Sequence, residues 1–479
     1  MYLSIDVGAC FSRACFVKDG VVKHVTDPIS KSPDIPSSIS LNHRREIFFG
    51  QQAEEDFART LEPKRYQGSF KIYLESSNSD AYLGDLSPQQ QMVRMIQFLK
   101  EQAEQLNYDP IRSAILEVPA SYRFNKRRLD LMYQAASSSG FKDIKLLENP
   151  IAAAHYYQWT EPDRFPLQSR GMILVYSLGG TFDAALVWQQ NGSLKFYSHT
   201  KPPFLGGLAF DRLLIDDLKQ KCSSTLKVLL DTKNQSKEAL YVRFHVRKSL
   251  NHLKHDLSTE QESSIIIDTG PLKSFPERYT LTRTQFNKMI EGLVRQSIDH
   301  CQNMLQEANL QLRWQNISQI LLVGGSCNIP YIRQQLQQIT GVPVVLAANL
   351  ELAACQGGAI YSLQRKTPVP LVDAVVTLFD AIKDIMNTFA WEERAIPLFT
   401  YADAIDYFVT QRPDDDRVEK GAMLRLPHPQ GYTLVQVFLD VQNNLIYKYG
   451  KPCGRRLVVR AFDRELLSVF GNKELVIVE

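Results

Sequence analysis

Apolar runs separated by glycine turns form a pattern that appears twice along the chain. The first copy leads into Asp6-Val7-Gly8, continues as a second apolar run, and ends at the turn Lys18-Asp19-Gly20. The second copy begins at Met172-Ile173-Leu174-Val175, passes through Gly179-Gly180-Thr181, and ends at the turn Gln190-Asn191-Gly192. Glycine accommodates tight bends, and Asn-Gly is a strong hairpin signal. The pattern therefore predicts two β-hairpins in a duplicated, two-lobed α/β fold with a cleft between the lobes.

Helical and strand periodicities follow each hairpin. Apolar residues that recur every three or four positions predict helices, and short apolar runs predict buried strands. The predicted helices are 88–106, 125–140, 210–221, 237–255, 283–309 and one that begins near Ile329-Pro330. The predicted strands are 114–118, 263–268 and 317–323, and the last leads into Gly324-Gly325-Ser326. Because glycine turns expose backbone N–H groups to phosphates, this junction is a further candidate nucleotide contact.

The segment 365–370 contains two prolines and predicts a linker. It would separate a domain at 1–364, with lobe I at about 1–170 and lobe II at about 171–364, from a small α+β domain at 371–479. Within that small domain, apolar positions at helical spacing in 371–389 are interpreted as core packing rather than as a partner site. Strands are predicted at 422–426, 432–441, 445–449 and 456–461.

Composition narrows the class of protein. The 55 basic and 52 acidic residues give a net charge of +3, so no preference for nucleic acid or for a membrane surface is indicated. The basic run 243–255 is interpreted as a solvated helix face. Seven scattered cysteines without a Cys-x-x-Cys pair predict reduced thiols, with neither a zinc site nor a disulfide framework. Without a signal-like N-terminus or a long uncharged run, the expectation is a soluble cytoplasmic protein.

A series of short motifs occurs in a fixed order along residues 1–362. They are Ile5-Asp6-Val7-Gly8, Pro36-Ser37 with Phe49-Gly50, Phe70-Lys71, Val118-Pro119-Ala120, Asn149-Pro150-Ile151-Ala152-Ala153-Ala154, Gly179-Gly180-Thr181-Phe182-Asp183, Leu205-Gly206-Gly207, Leu257-Ser258 and Val323-Gly324-Gly325-Ser326. This order resembles the nucleotide-binding domain of the DnaK/heat-shock 70 kDa chaperones, a branch of the actin-like ATPase superfamily.

The resemblance implies that ATP or ADP, with Mg²⁺, occupies the central cleft. Lys71 matches the family's catalytic lysine, Asp183 is a second, residual catalytic candidate, and Asp6 would reach the metal through water. The first hairpin would face the γ-phosphate and the second the β-phosphate. The residues that would bind the nucleotide are Asp6, Gly8, Ala9, Cys10, Gly179, Gly180, Thr181, Gly206, Gly207, Lys254, His255, Ser258, Gly324, Gly325, Ser326 and Asn328.

Several polar groups of the family pattern are absent. The second loop is one glycine short, which puts either Ser177 or Tyr176 on the family's acidic position, and neither restores the carboxylate. Ala9-Cys10 stands in place of two threonines, and Glu148-Asn149 reverses the family's Asn-Glu order. These changes remove or move groups that position metal and water, while the glycine turns are mostly kept. Hydrolysis is therefore expected to be slow or lost, with binding retained.

The adenine pocket also departs from the family, since His255 and Asn328 replace arginines and Asn251 replaces a glutamate. Nonfunctional interpretations remain open for three retained residues. Asp6 and Asp183 could brace their own hairpin turns through backbone N–H groups, and Lys71 could be an exposed loop lysine.

Several functions compete at this point. The first is a degenerate, nucleotide-gated or inert chaperone-like adaptor whose C-terminal domain binds a specific protein partner, without nucleic acid or membrane. The alternative is a slow Mg²⁺-dependent ATPase that drives a chaperone or remodelling cycle. A sugar or carboxylate kinase and a filament-forming protein on the same superfold rank lower. Residues 371–479 show no match to the family's peptide-binding domain.

Overall fold

The computed structural model describes the whole chain except residues 76–80, 124, 164–169, 191, 201–204, 268–276, 308–311, 348, 365–381, 384, 387–388, 390–394, 416, 441–442, 449–450, 472–473 and 479. Two compact units result, Met1–Gln364 and Arg365–Glu479. The predicted linker 365–370 and most of the predicted helix 371–389 lie outside the described residues. Among the helices described, none combines the length and apolar character that a membrane crossing requires.

The first sheet is built around the N-terminal hairpin. Its strands have the order β3-β2-β1-β8-β9, and β4 pairs with the first two residues of β2 on the same edge that β3 occupies further along. Strands β1 to β3 are antiparallel, whereas β8 and β9 continue the sheet parallel to β1. The bounds are β1 Tyr2–Val7, β2 Phe11–Lys18, β3 Val21–His24, β4 Ile35–Pro36, β8 Ser113–Val118 and β9 Asp143–Glu148.

The second sheet repeats the first. Its order is β12-β11-β10-β15-β16, again an antiparallel meander followed by two parallel strands. The bounds are β10 Arg170–Leu178, β11 Phe182–Gln190, β12 Ser193–His199, β15 Ile317–Val323 and β16 Val344–Val345. The repeated order confirms the duplicated two-lobed α/β fold.

Smaller sheets extend the lobes. One has the order β6-β5-β7, with β5 Ser38–Leu41, β6 Ile47–Phe49 and β7 Tyr66–Gly68. The other pairs β13 Glu262–Ile267 with β14 Glu277–Thr282. The helices of this unit are α1 Gly50–Thr60, α2 Pro88–Asn107, α3 Lys126–Ser138, α4 Asn149–Thr160, α5 Gly207–Lys221, α6 Ser224–Leu230, α7 Lys237–Thr259, α8 Arg283–Glu307, α9 Pro330–Thr340 and α10 Ala353–Gln364.

Helix α10 lies against the first sheet, although it follows the strands of the second sheet in the chain. It packs on β1, β2 and β8 and crosses α4. The crossing is so close that a Cβ atom on Gly357 would come within 1.7 Å of the carbonyl oxygen of Ala152. Under the same sheet, the Sγ atoms of Cys15 and Cys355 lie 3.3 Å apart as free thiols.

The C-terminal unit is a sheet with helices on one face. Its antiparallel order is β21-β18-β17-β22, formed by β17 Lys420–His428, β18 Gly431–Leu439, β21 Gly454–Val459 and β22 Leu475–Val478. Helices α11 Tyr401–Thr410 and α12 Arg464–Phe470 share one core with it, and neither was predicted. Of the predicted strand 445–449, Tyr447–Lys448 forms β19, which pairs with β20 Lys451–Pro452, and Leu445 forms an isolated bridge to Leu439, while residue 449 lies outside the described residues.

The opposite face of this sheet is covered by the part of 371–389 that the structure describes. Ile382 is fully buried there, and Ile385, Met386 and Phe389 pack against the same cluster. These residues follow the core-packing interpretation. The members of the stripe before Ile382 lie outside the described residues.

Candidate functional site

The three glycine junctions of the second lobe meet in one place. The carbonyl oxygen of Gly179 accepts hydrogen bonds from the Gly207 N–H at 2.8 Å and from the Ser326 hydroxyl at 3.0 Å. The carbonyl oxygen of Gly180 accepts one from the Leu208 N–H at 3.0 Å. The turn after β10, the start of α5 and the turn after β15 are thus joined by their backbones.

Glycine is required where these turns touch. Gly206 has φ +117°, and a Cβ atom on it would lie 2.8 Å from the Thr181 Cα. Gly324 has φ +90°, and its Cβ would lie 2.8 Å from the backbone of Leu178 and Gly179. A side chain at either position would combine an unfavourable backbone conformation with a clash against backbone that cannot move aside.

The loop of the first hairpin is fixed by hydrogen bonds to its backbone carbonyl oxygens. The Gly8 N–H bonds to Phe11 at 3.0 Å, and the Ser37 hydroxyl donates to the Gly8 carbonyl at 2.9 Å. The Ser37 N–H donates to the Cys10 carbonyl at 2.8 Å. The Pro36-Ser37 motif therefore fixes this loop, which explains its place in the motif series.

The two hairpin loops face each other with free backbone donors. A Cβ atom on Gly180 would lie 2.6 Å from the Cys10 Sγ, so the loops are in contact through this thiol. Within the part of the chain that the structure describes, the N–H groups of Ala9, Cys10, Gly180 and Thr181 make no hydrogen bond. Successive unpaired N–H groups in tight turns form concave anion sites, so both loops suit phosphate oxygens.

Buried oxygens without partners surround this point. Asp6 is the last residue but one of β1, and its Oδ1 is buried without a hydrogen-bond partner. Asp183, which follows the second loop, accepts the N–H of Ala120 from the other lobe at 2.9 Å through Oδ2, while its Oδ1 has no partner. Burial raises the pKa of Asp183 to about 7, against the opposing charge of Lys71. Asp183 therefore connects the lobes rather than only bracing its own turn.

Glu117 is a buried carboxylate that sequence analysis missed. It lies on β8 beside Asp6, because the parallel register pairs Ile5 with Leu116. The side chain is 0% exposed, Oε1 accepts the Ser4 hydroxyl at 2.8 Å, and Oε2 has no partner. Burial and the nearby charge of Asp6 raise the pKa of Glu117 well above its usual range. A glutamate in an otherwise apolar strand (Ser-Ala-Ile-Leu-Glu-Val) was the available signal.

Lys71 lies in a 3₁₀ turn, Phe70–Tyr73, on the first lobe. Lys71 is half-buried, and its charge lowers the pKa of both Glu117 and Asp183, so it lies within electrostatic reach of these carboxylates. The structure thus brings Asp6, Lys71 and Asp183 together, as the motif series predicted. Their catalytic and metal-binding roles stay predictions.

The structure also distinguishes the two positions proposed for the missing second-loop carboxylate. Tyr176 is fully buried, and its hydroxyl bonds to that of Ser297 in the core of the second lobe. Side chains alternate along a strand, so Ser177 lies on the opposite face. Glu148 is engaged by Arg123, whereas Asn149 keeps a buried Oδ1 without a partner.

The residues predicted to contact adenosine line α7 and the turn after β15. Lys254 is buried beside Gly207, and its Nζ is paired to Asp211 at 2.6 Å. Ser258 lies one helical turn further along α7, half-buried. Partial desolvation and the Lys254 charge lower the pKa of His255, so its exposed ring is neutral at pH 7. The Asn328 amide bonds to Glu351, whose side chain also lies 3.5 Å or less from where a Gly325 Cβ would be.

The basic run 243–255 is more than a solvated face. Arg243 donates to the carbonyl oxygens of Leu229, Asp231 and Asn234, and Lys254 is buried. The solvated interpretation is therefore wrong for these two residues.

Burial raises the pKa of Cys10, and the charges of Lys254 and Arg247 oppose that rise. Arg247 is thus a further cation near the first loop that the sequence did not single out.

Aromatic rings join the lobes at the rim of the cleft. Phe57 of α1 stacks on Tyr66 of β7 with centroids 4.4 Å apart, and Phe244 of α7 meets Phe57 edge-on at 5.3 Å. Beside them, Lys248 and Glu54 form an ion pair at 2.9 Å. We call Phe57, Tyr66 and Phe244 the rim aromatics.

In the described part of the chain, no group of three or more His, Cys, Asp or Glu side chains is arranged to hold a metal ion by itself. A cation here would need a few carboxylates together with phosphate and water, which is the usual manner of Mg²⁺ binding beside nucleotides. The unpartnered oxygens of Asp6 and Asp183 fit that arrangement.

Comparison with protein families gives a match over residues 3–375 to the family described as Hsp70 protein. The match spans both sheets and every junction described above.

Proposed function

The chain belongs to the Hsp70 family, and from that premise we propose that it holds ATP or ADP between its two hairpin loops and hydrolyses it slowly or not at all. The family is one of nucleotide-binding, chaperone-type proteins. The observation that carries the proposal is the set of four unpaired N–H groups at Ala9, Cys10, Gly180 and Thr181. Lys254 and Arg247 add positive charge beside the first hairpin loop, which contains Cys10.

Slow hydrolysis is supported by what surrounds the loops. The second loop has Ser177 or Tyr176 where the family has a carboxylate, and neither is acidic. The first loop has no threonine hydroxyls, and Glu148 is paired with Arg123. Each missing group removes about 1–4 kcal/mol of transition-state stabilisation, by analogy with single-donor losses. Such losses are not additive when the groups act together.

The role proposed for the whole chain is that of a chaperone-like adaptor, nucleotide-gated or inert, for a specific protein partner. The C-terminal unit would bind that partner. In support, this unit has cores of its own and lies almost wholly beyond the residues that match the family. A slow Mg²⁺-dependent ATPase is the second candidate. The retained Lys71 and the partnerless Oδ1 of Asp183 favour it.

A nucleotide titration combined with single-turnover hydrolysis tests both candidates. We expect ADP and ATP to bind, with turnover close to the background rate. Mg²⁺-dependent turnover that disappears in Lys71→Ala would establish the ATPase and refute the inert form. Failure of both nucleotides to bind would refute the gated form as well.

Affinity capture tests the adaptor role separately. The full chain is compared with a chain that ends at Gln364, which keeps the unit bearing both hairpins. A partner retained only by the full chain is expected. Equal capture by both chains would remove the C-terminal unit from the proposal.

A further inference from the structure

Three oxygen-bearing side chains lie at one edge of the first sheet. Strands β1, β8 and β9 are parallel neighbours, and their registers pair Ile5 with Leu116 and Val118 with Glu148. Asp6, Glu117 and Asn149 therefore follow one another at the carboxyl ends of adjacent strands. Ligands of open α/β sheets bind at this edge.

Each of these side chains has a buried oxygen without a hydrogen-bond partner. Glu117 is 0% exposed and Asp6 is 8% exposed, and the partnerless atoms are Oε2 of Glu117, Oδ1 of Asp6 and Oδ1 of Asn149. A buried polar oxygen left unpaired destabilises the folded state, and a charged one does so more strongly. Three such atoms at one sheet edge indicate a ligand that accepts oxygen donors.

Within the described part of the chain, no cation is hydrogen-bonded to these three oxygens. Arg13, whose backbone pairs with Asp6, is bound to Asp34 at 2.6 Å. Lys71 is near, but among the described residues no hydrogen bond or ion pair joins it to Glu117 or Asp6. The Ser4 hydroxyl satisfies Oε1 of Glu117 only.

We propose that Glu117 supplies a cation-binding carboxylate in place of the one missing from the second hairpin. A divalent cation of the Mg²⁺ class is then held by Asp6, Glu117 and the Asn149 amide oxygen, with water or phosphate completing the shell. Mg²⁺ prefers such oxygen donors and commonly takes one or two carboxylates beside a phosphate. The second carboxylate of the cation site then comes from the first lobe instead of from the second hairpin. This inference deepens the proposed function and rests on it.

The test uses Mn²⁺ as the probe, measured by water-proton relaxation with the full chain, alone and with ADP. Glu117→Gln keeps the volume and can keep the Ser4 hydrogen bond, but it removes the charge. We expect it to weaken Mn²⁺ binding at least tenfold while ADP affinity in EDTA stays within twofold. The matched control is Asp56→Asn, which alters another buried carboxylate bonded to a serine hydroxyl, Ser40, at 2.9 Å. This control should bind Mn²⁺ like the unaltered chain.

Unchanged Mn²⁺ binding in Glu117→Gln would overturn the proposal. If the unaltered chain does not bind ADP in EDTA, the proposed function itself is refuted. Since Glu117→Gln could fail to fold, a second measurement uses the unaltered chain. Fe²⁺ with ascorbate and peroxide should cleave the backbone near residues 6–8 and 117–120. Cleavage confined to 177–183, or absent, would also overturn the proposal.

Discussion

Asp183 holds its carboxylate where burial opposes ionisation. Because its pKa is raised to about 7, Asp183 in the folded chain keeps its proton up to about pH 7. In the unfolded chain the same carboxyl group loses its proton near pH 4. The folded state therefore binds more protons between about pH 4 and 7, and the free energy of unfolding falls as pH rises through that window, by at most about 4 kcal/mol. Asp183→Asn should remove this part of the pH dependence, measured as the unfolding free energy at pH 5 and pH 8.

Asp56→Asn is a suitable comparison here too, because Asp56 is buried but fully hydrogen-bonded. If Asp183→Asn and the unaltered chain lose the same stability between the two pH values, Asp183 does not titrate in this range.

Individual residues were only partly predictable from the sequence. Asp6, Lys71 and Asp183 were found because motif order places them, and the structure gathers them. Glu117 was not found, because a single carboxylate in a strand signals nothing until the register sets it beside Asp6. Ser177 and Tyr176 could not be separated without knowing which face of β10 each side chain occupies.

The crossing of α4 and α10 depends on the absence of a side chain at Gly357. A methyl group there would meet the Ala152 carbonyl, which is backbone and cannot rotate away. Gly357→Ala should lower the unfolding free energy by at least about 2 kcal/mol, since overpacking of a rigid contact is rarely relieved. Thermal unfolding followed by calorimetry would measure the change.

Gly292→Ala provides the matched control in a helix of the same unit. Nothing lies within 4 Å of a Cβ atom at Gly292 in α8, so the substitution should stabilise the helix by about 1 kcal/mol. Equal effects at the two glycines would show that helix propensity, rather than the crossing, decides both.

Elements were predictable where they have one apolar face. Helices α2, α7 and α8 carry an apolar stripe, and their predicted ranges match to within a few residues. Helices α4 and α10 were not predicted as helices, because they are apolar on nearly all sides and buried, which removes the periodicity. Helix α1 was missed because its buried face has only Ala53 and Phe57 as apolar side chains, and the sheet β6-β5-β7 was missed because its strands have only three or four residues.

At the scale of the molecule, the rim aromatics join the two lobes on either side of the cleft in which we propose that nucleotide binds, so they are expected to slow its release. Phe244→Ala removes the edge-on contact with Phe57, and an aromatic pair contributes about 0.5–1.5 kcal/mol beyond area burial. We expect release of a fluorescent ADP to accelerate roughly two- to tenfold, measured by stopped-flow displacement.

Lys248→Ala separates packing from charge at the same rim. The Lys248–Glu54 pair is partly exposed, so its loss should change release by less than Phe244→Ala, and the change should vanish in high salt. Identical release rates in Phe244→Ala and the unaltered chain would show that the rim does not limit exchange.

The architecture as a whole followed from the sequence because each hairpin begins a repeat of the same strand order. The place of α10 did not follow, since it lies after the second repeat and yet completes the first sheet. Chain order gives no hint of that return.

This return has a consequence for synthesis on the ribosome. The first sheet ends with β9 at Glu148, and the helix that covers it begins at Ala353, about 200 residues later. Synthesis proceeds at roughly 5–20 residues per second, so α10 emerges on the order of ten to forty seconds after β9. During that time the face of the sheet that carries Cys15 and Glu117 is not covered by α10. The nascent first lobe therefore exposes this apolar face for longer than a lobe whose covering helix directly follows its sheet.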